Sequence, residues 1–195
     1  MGYSGAVLAG GRSSRFGRDK ARFVWRGRPL LSYVLESLNT AEERLVVAGR
    51  DYADFGFPVY PDVIPGGDSL SGLHSALVHA RADWVAVAAC DLPYLASGYW
   101  DYLYERARRT GAGAVVAEGP TGWIEPLAAF YRKDLEPVAR AQLEAGDLFL
   151  KNLVEAAHAE IVPWNELLSR FGPRLFLNAN RLEDLVAGAD DEASG

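Results

Sequence analysis

Val7-Leu-Ala-Gly-Gly-Arg-Ser-Ser-Arg-Phe-Gly-Arg-Asp-Lys20 joins a short apolar run over residues 5–9 to a loop with glycines at 10, 11 and 17. The run has the length and flanks of a buried strand, and the loop has the composition of one whose backbone approaches a ligand closely. Successive unobstructed N–H groups form a concave anion site, and Arg12, Arg15, Arg18 and Lys20 add four positive charges within nine residues. The pair reads as a strand feeding a polyphosphate cradle. Neither common phosphate motif is present: G-x-x-x-x-G-K-[ST] and G-x-G-x-x-G both fail on spacing.

Working outward, short apolar runs at 45–48, 58–60, 84–88, 114–116, 127–131, 160–162 and 175–177 read as further strands. Between them lie helical patterns. Leu30, Leu31, Val34, Leu35 and Leu38 form a stripe behind Pro29 as first helical residue, and Leu73, Ala76, Leu77 and Ala80 form another behind Ser71 as cap. Helices are also expected over 97–109, over 135–144 between an Asp134 cap and a Gly146 stop, and over 148–157. Residues 23–25 form a short extended piece turned by Arg26-Gly27. Continuous apolar strands alternating with helices imply a mostly parallel sheet covered on both faces, in one α/β domain. Ligands in such sheets bind beyond the carboxyl ends of the strands, where both the Gly10 loop and Asp91 fall.

Composition narrows the function. The chain carries a net charge of −6, which argues against a nucleic-acid polymer as partner, yet residues 12–28 hold seven Arg or Lys and one acid, Asp19. That local reversal of sign suits a small anionic ligand. The single cysteine, Cys90, excludes an internal disulfide or a cysteine-rich zinc site. With no charged leader and cleavage site ahead of the first strand and no membrane-length apolar run, a cytoplasmic location is expected.

Asp91, at the end of the 84–88 strand, can hold a hard cation through a carboxylate oxygen while phosphates and water supply the other ligands; aspartate is also a common turn former. Cys90 reads as an inert thiol, and His74, His79 and His158 have no metal-ligand spacing. The five tryptophans, 25, 84, 100, 123 and 164, read as packing groups rather than stacking platforms.

The string L-A-G-G-x-S-x-R-x-G-x-D-K resembles the opening signature of the molybdenum cofactor guanylyltransferases, the MobA family. Cys90-Asp91-Leu92-Pro93 resembles that family's metal-binding motif, and Asn178-x-Asn180 followed by Glu183-Asp184-Leu185 resembles its closing N-x-N-x-P-E-D-L, so the resemblance spans nearly the whole chain. It implies a three-layer α/β/α, Rossmann-like nucleotidyltransferase domain over 1–187, with 188–195 a flexible acidic tail. The implied reaction moves GMP from GTP to the phosphate of molybdopterin, with Mg²⁺ on Asp91 and release of pyrophosphate. On matching positions, Leu8, Ala9, Gly10, Gly11, Arg12, Lys20, Asp62 and Asp91 would contact the nucleotide; Arg15, Lys20 and Asp91 would serve catalysis. Asn178 and Asn180 would bind the pterin acceptor or cap the last helix. Implied partners are GTP and molybdopterin, with transient contact to other cofactor-biosynthesis proteins or molybdoenzymes, and neither nucleic acid nor membrane.

The second glycine of Leu8-Ala-Gly-Gly11 favours guanine, because cytidine-using relatives more often have alanine there. A cytidylyltransferase, a sugar-phosphate nucleotidyltransferase and a noncatalytic nucleotide-binding module stay open as alternatives. The chain departs from the family at Ala48-Gly49, where an asparagine is common, and at Asp68-Ser-Leu-Ser-Gly72, where G-P-L-A-G is usual. Glu125-Pro126 replaces a Gln-Pro or His-Pro pair, and Asp147-Leu148-Phe149 stands where relatives often carry arginines.

Overall fold

Strand β1, Ser4–Leu8, is buried at every position, and its side chains divide between two apolar cores. Val7 joins Leu31, Val34 and Leu35 on one face, while Ala6 and Leu8 join Leu70, Leu73 and Leu77 on the other. The same alternation recurs in the later strands, with Ala86, Ala88, Val115 and Phe130 on the first face and Val85, Val87, Val116 and Tyr131 on the second. A sheet apolar on both sides needs a helical layer on each, which makes three layers.

The computed structural model describes residues 2–10 and 19–179. After β1 come the short hairpin strands β2, Val24–Trp25, and β3, Arg28–Pro29; then β4, Glu43–Val47, β5, Val59–Tyr60, β6, Trp84–Ala89, β7, Ala114–Glu118, β8, Ile124–Arg132, and β9, Glu160–Val162. Seven of these form one sheet in the order β5-β4-β1-β6-β8-β7-β9. Its pairs are parallel except that β8 runs against both β6 and β7. Helices α1, Leu30–Ser37, α3, Ser97–Ala107, and α6, Trp164–Phe171, cover the first face; α2, Asp68–His79, α4, Glu136–Glu144, and α5, Leu150–Ala156, cover the second. Among the described residues no helix is long and apolar enough to cross a membrane.

Two close approaches set the geometry near the first loop. A Cβ on Gly72 would stand 3.2 Å from Leu8 Cδ1, so α2 lies directly against the end of β1. In the β2–β3 hairpin Arg26 and Gly27 both have positive φ, 45° and 78°, the two-residue turn that matches strand twist.

Several local expectations are corrected. Pro29 ends β3 and precedes α1 with extended backbone, φ −60° and ψ 144°, instead of opening the helix. Helix α2 starts at Asp68, and Ser71 lies within its first turn, where its Oγ accepts the Gly67 N–H at 2.8 Å. Asp134 sits in a short 3₁₀ turn, Lys133–Leu135, ahead of α4, and its carboxylate pairs with Arg132 instead of capping. Residues 175–177 form a turn, with Leu175 and Phe176 buried for packing and no ladder partner. The 127–131 strand is the middle of the antiparallel β8. Gly146 does stop α4, at φ 74°. The expected tail, 188–195, lies outside the described residues.

Trp100 anchors the first core. It is fully buried, its ring packs edge-on against Tyr99 and Phe130, and its Nε1 donates to Ser37 Oγ at 3.0 Å. Trp100→Ala should lower the unfolding free energy by about 3–5 kcal/mol in urea titration; a loss under about 1 kcal/mol would mean that this layer does not depend on it.

Candidate active site

The carboxyl ends of β1 and β6 meet on one rim. They pair in register, Leu8 opposite Ala89, and the ladder runs on through Cys90 N–H to Leu8 O at 3.1 Å. On the other side of β1, Ala9 N–H donates to Val47 O at 2.9 Å, which holds the start of the glycine loop against the end of β4. Gly10 is exposed at this point, with Ala48 Cα 3.9 Å from where its Cβ would be.

Lys20 and Asp91, far apart in sequence, come together here. Lys20 Nζ lies 2.5 Å from Asp91 Oδ2, and both side chains are about four-fifths buried, at 19% and 18% exposure. An ion pair this sheltered is screened less than a surface one, and it fixes where the first loop rejoins the sheet. The turn presenting Lys20 is held from below by Asp19. Its Oδ1 accepts the Ala21 N–H at 3.1 Å and the hydroxyl of Tyr52 at 2.8 Å, and Arg50 and Arg22 stand 3.7 and 3.9 Å from Oδ2. Burial first, and the bond to Asp19 second, push the Tyr52 hydroxyl far above its ordinary range, so it stays a donor. Nothing in the sequence marks Tyr52 as part of this support.

Cys90 lies under the same rim. Burial, with the charge of Asp91 second, pushes its thiol up to about 12, so it is protonated near neutrality and no nucleophile. This agrees with its reading as an inert thiol.

The chain's last described segment also reaches the rim. Ala179 N–H donates to Asp91 O at 2.9 Å, which brings Asn178, exposed, beside the metal-motif aspartate. Asp62 stands elsewhere on the rim, just beyond β5, with β4 and β1 between it and β6. It is half-buried, and burial raises its carboxyl. Gly11, Arg12, Arg15 and Asn180 lie outside the described residues.

A second carboxylate comes to Asp91 from β8. The antiparallel ladder with β6 runs as far as Ala88 opposite Ala128, and Glu125, three residues earlier on β8, is near enough for the charge of Asp91 to act on it. Burial first, and the charge of Asp91 second, raise the Glu125 carboxyl above its ordinary value. Among the described residues no group of three or more His, Cys, Asp or Glu side chains gathers as a metal cage. The donors present suit a hard cation that arrives with phosphate and water, and the Lys20 ammonium on Asp91 shows that this carboxylate accepts a cation from the rim side.

The model of the MobA-like NTP transferase domain matches residues 5–161. The chain belongs to that family. It is 40% identical to a Deinococcus radiodurans protein named "Probable molybdenum cofactor guanylyltransferase" over 96% of this chain and 95% of that one. A Pyrococcus furiosus protein of the same name is 33% identical over 93% of each chain. In fold it is similar to molybdopterin-guanine dinucleotide biosynthesis protein A from Archaeoglobus fulgidus, with a TM-score of 0.83 at 24% identity over 98% of this chain and 100% of that one. Against the MobA-like pattern, the departure at Asp68 has a physical trace: at φ 48° it holds a backbone conformation that glycine adopts freely.

The raised Glu125 carboxyl sets a pH dependence. Its folded form favours the proton, so between its ordinary value of 4.5 and its folded value stability falls as pH rises, and the penalty persists above that window. Without metal or nucleotide, Glu125→Gln should therefore melt at a higher temperature than the parent at pH 7, and the gap should close below pH 4.5. Thermal scans across pH check this; an equal or lower melting temperature at pH 7 would contradict it.

Proposed function

We propose that this chain is a nucleotidyltransferase that moves GMP from GTP to the terminal phosphate of molybdopterin and releases pyrophosphate. The observation that carries the reading is the Lys20–Asp91 pair, which ties the glycine-rich loop to the end of β6. Its full-length likeness to proteins named as guanylyltransferases supports the substrates. The domain is assigned to residues 1–187, and the single cysteine together with the supply of GTP sets the reaction in the cytoplasm.

The nucleotide lies along the rim from β5 to β6. Three strand spacings, roughly 14 Å, separate those strands, a span that a nucleoside triphosphate covers with its base toward Asp62 and its phosphates toward Asp91. Backbone groups of Leu8, Ala9, Gly10 and Gly11 hold the base and sugar, and half-buried Asp62 offers a carboxylate to the N1–H and N2–H₂ donors of guanine. Arg12 and Lys20 bind phosphate oxygens. Arg15 meets the charge that develops on departing pyrophosphate. The acceptor phosphate already carries an anionic oxygen, so the protein supplies no nucleophile and no covalent intermediate; it positions two phosphates in line and neutralises their charge.

Asp91 would hold Mg²⁺ through a carboxylate oxygen, and Asn178 and Asn180 would bind the acceptor. When bound, that ion lowers the repulsion between the attacking phosphate and the triphosphate. Before the nucleotide enters, Lys20 neutralises Asp91; with the site loaded, its ammonium turns to phosphate.

Asp91→Asn should lower turnover by at least roughly 10²-fold in a protein that still folds, as expected when a charged transition-state contact is removed. Full activity in that variant would remove Asp91 from the mechanism. Calorimetry should also find tighter binding of MgGTP than of MgCTP, and the reverse order would transfer the chain to cytidylyl transfer.

A further inference from the structure

The strand order divides the rim. Loops after β1, β4 and β5 lie on one side of Asp91, and the β7–β8 hairpin lies on the other. If the nucleotide takes the first side, the second faces the acceptor. The hairpin turns through Gly119 and Gly122, with Gly119 N–H donating to Trp123 O at 2.7 Å and Gly122 N–H to Gly119 O at 3.0 Å.

Two of its side chains are unlike their surroundings. Trp123 is 73% exposed, where the other four tryptophans are at least half covered, and its ring makes no aromatic contact among the described residues. Glu125 is half-buried, yet among the described residues its carboxylate makes no hydrogen bond or ion pair. Its Oε1 lies 2.3 Å from where a Cβ on Gly119 would stand, so it occupies space open only because residue 119 is glycine. Trp123 immediately precedes β8, and its carbonyl, accepting the Gly119 N–H, carries the β7–β8 pairing one residue further, so Trp123 and Glu125, two residues apart on an extended ribbon, lie toward one face of it.

An exposed flat ring beside a half-buried carboxylate that has no hydrogen-bond or ion-pair partner among the described residues, within reach of the charge of Asp91, fits a particular ligand. A 2-amino-4-oxo pyrimidine edge, as in a pterin, presents a ring N–H and an exocyclic amine side by side, and a carboxylate accepts both. The flat bicycle stacks on indole. We propose that Glu125 and Trp123 form the ring site of the acceptor, Glu125 accepting the paired donors of the pterin and Trp123 stacking its face. This rests on the pterin acceptor of the proposed function. It also gives the departure from the family's Gln-Pro or His-Pro a use, since only a carboxylate accepts from both donors.

Guanine carries the same edge, and the test must separate the two. Binding of 6-hydroxymethylpterin to the whole protein saturated with MgGTP is followed by the pterin's own fluorescence, alongside 6-hydroxymethyllumazine, which has oxygen in place of the amine. The parent should prefer the pterin by about tenfold or more. Glu125→Gln should erase that preference and weaken pterin binding about tenfold, whereas Trp123→Ala should weaken both ligands alike and Trp123→Phe should restore most of the loss. MgGTP affinity, measured by calorimetry, should stay within about twofold in every variant. The inference is overturned if the parent does not bind the pterin, if Glu125→Gln keeps the preference, or if MgGTP displaces the pterin and Glu125→Gln weakens MgGTP instead. Failure of the parent to bind MgGTP at all would strike the guanylyl reading, whatever the pterin titrations show.

Discussion

Strand β6 is bonded to a parallel neighbour on one side and an antiparallel one on the other, and the site depends on that asymmetry. In a purely parallel sheet the rim at the end of β6 would be flanked only by strand ends and the loops that leave them. Because β8 runs backwards, its beginning lies at the same rim, and the tight hairpin from β7 brings Glu125 within reach of the charge of Asp91, with Trp123 just ahead of it in the chain. One aspartate thus borders two unlike neighbourhoods. Toward the first loop it meets the Lys20 ammonium, and toward β8 it feels a second carboxylate, Glu125.

The electrostatics follow from this placement. The chain as a whole is acidic, at −6, while seven of its 20 Lys and Arg residues stand within residues 12–28 beside a single acid. A phosphate approaching the rim therefore meets a local field opposite in sign to that of the rest of the protein. Lys20 is kept on Asp91 by a support that lies beneath it: Asp19 is fixed by the Tyr52 hydroxyl and the Ala21 amide, and Tyr52 is itself buried in the first core. Packing under the sheet's first face is in this way coupled to the position of a charge on its rim.

Much of this was legible in the residues. The β1 run, the Trp84 strand and the α2 stripe declare themselves by period and by the glycines and prolines around them. The direction of β8 did not, because an antiparallel strand buried on both faces reads as the same continuous apolar run that a parallel one gives. The expected strand at 175–177 failed for a related reason: Leu175 and Phe176 are apolar because they pack into the core, with no ladder to join. Helix α6 repeats Trp164, Leu167, Leu168 and Phe171 at helical spacing, but over only eight residues, a run too short for period alone to declare a helix. In the site, strand ends sharing a rim gave the expectation that the Gly10 loop and Asp91 lie on one side of the sheet; the ion pair of Lys20 with Asp91 appears only in the structure. The part played by Tyr52 was not expected, since a buried tyrosine carries no mark of the partner its hydroxyl will find. Trp123 was expected to pack, and its exposure appears only once the hairpin is seen.

The most direct measurement is a crystal of the protein soaked with GTP and Mg²⁺. The account predicts the metal on Asp91, the base beside the ends of β1, β4 and β5, and the Lys20 ammonium moved from Asp91 to a phosphate oxygen. A nucleotide bound elsewhere, with Lys20 still seated on Asp91, would contradict it.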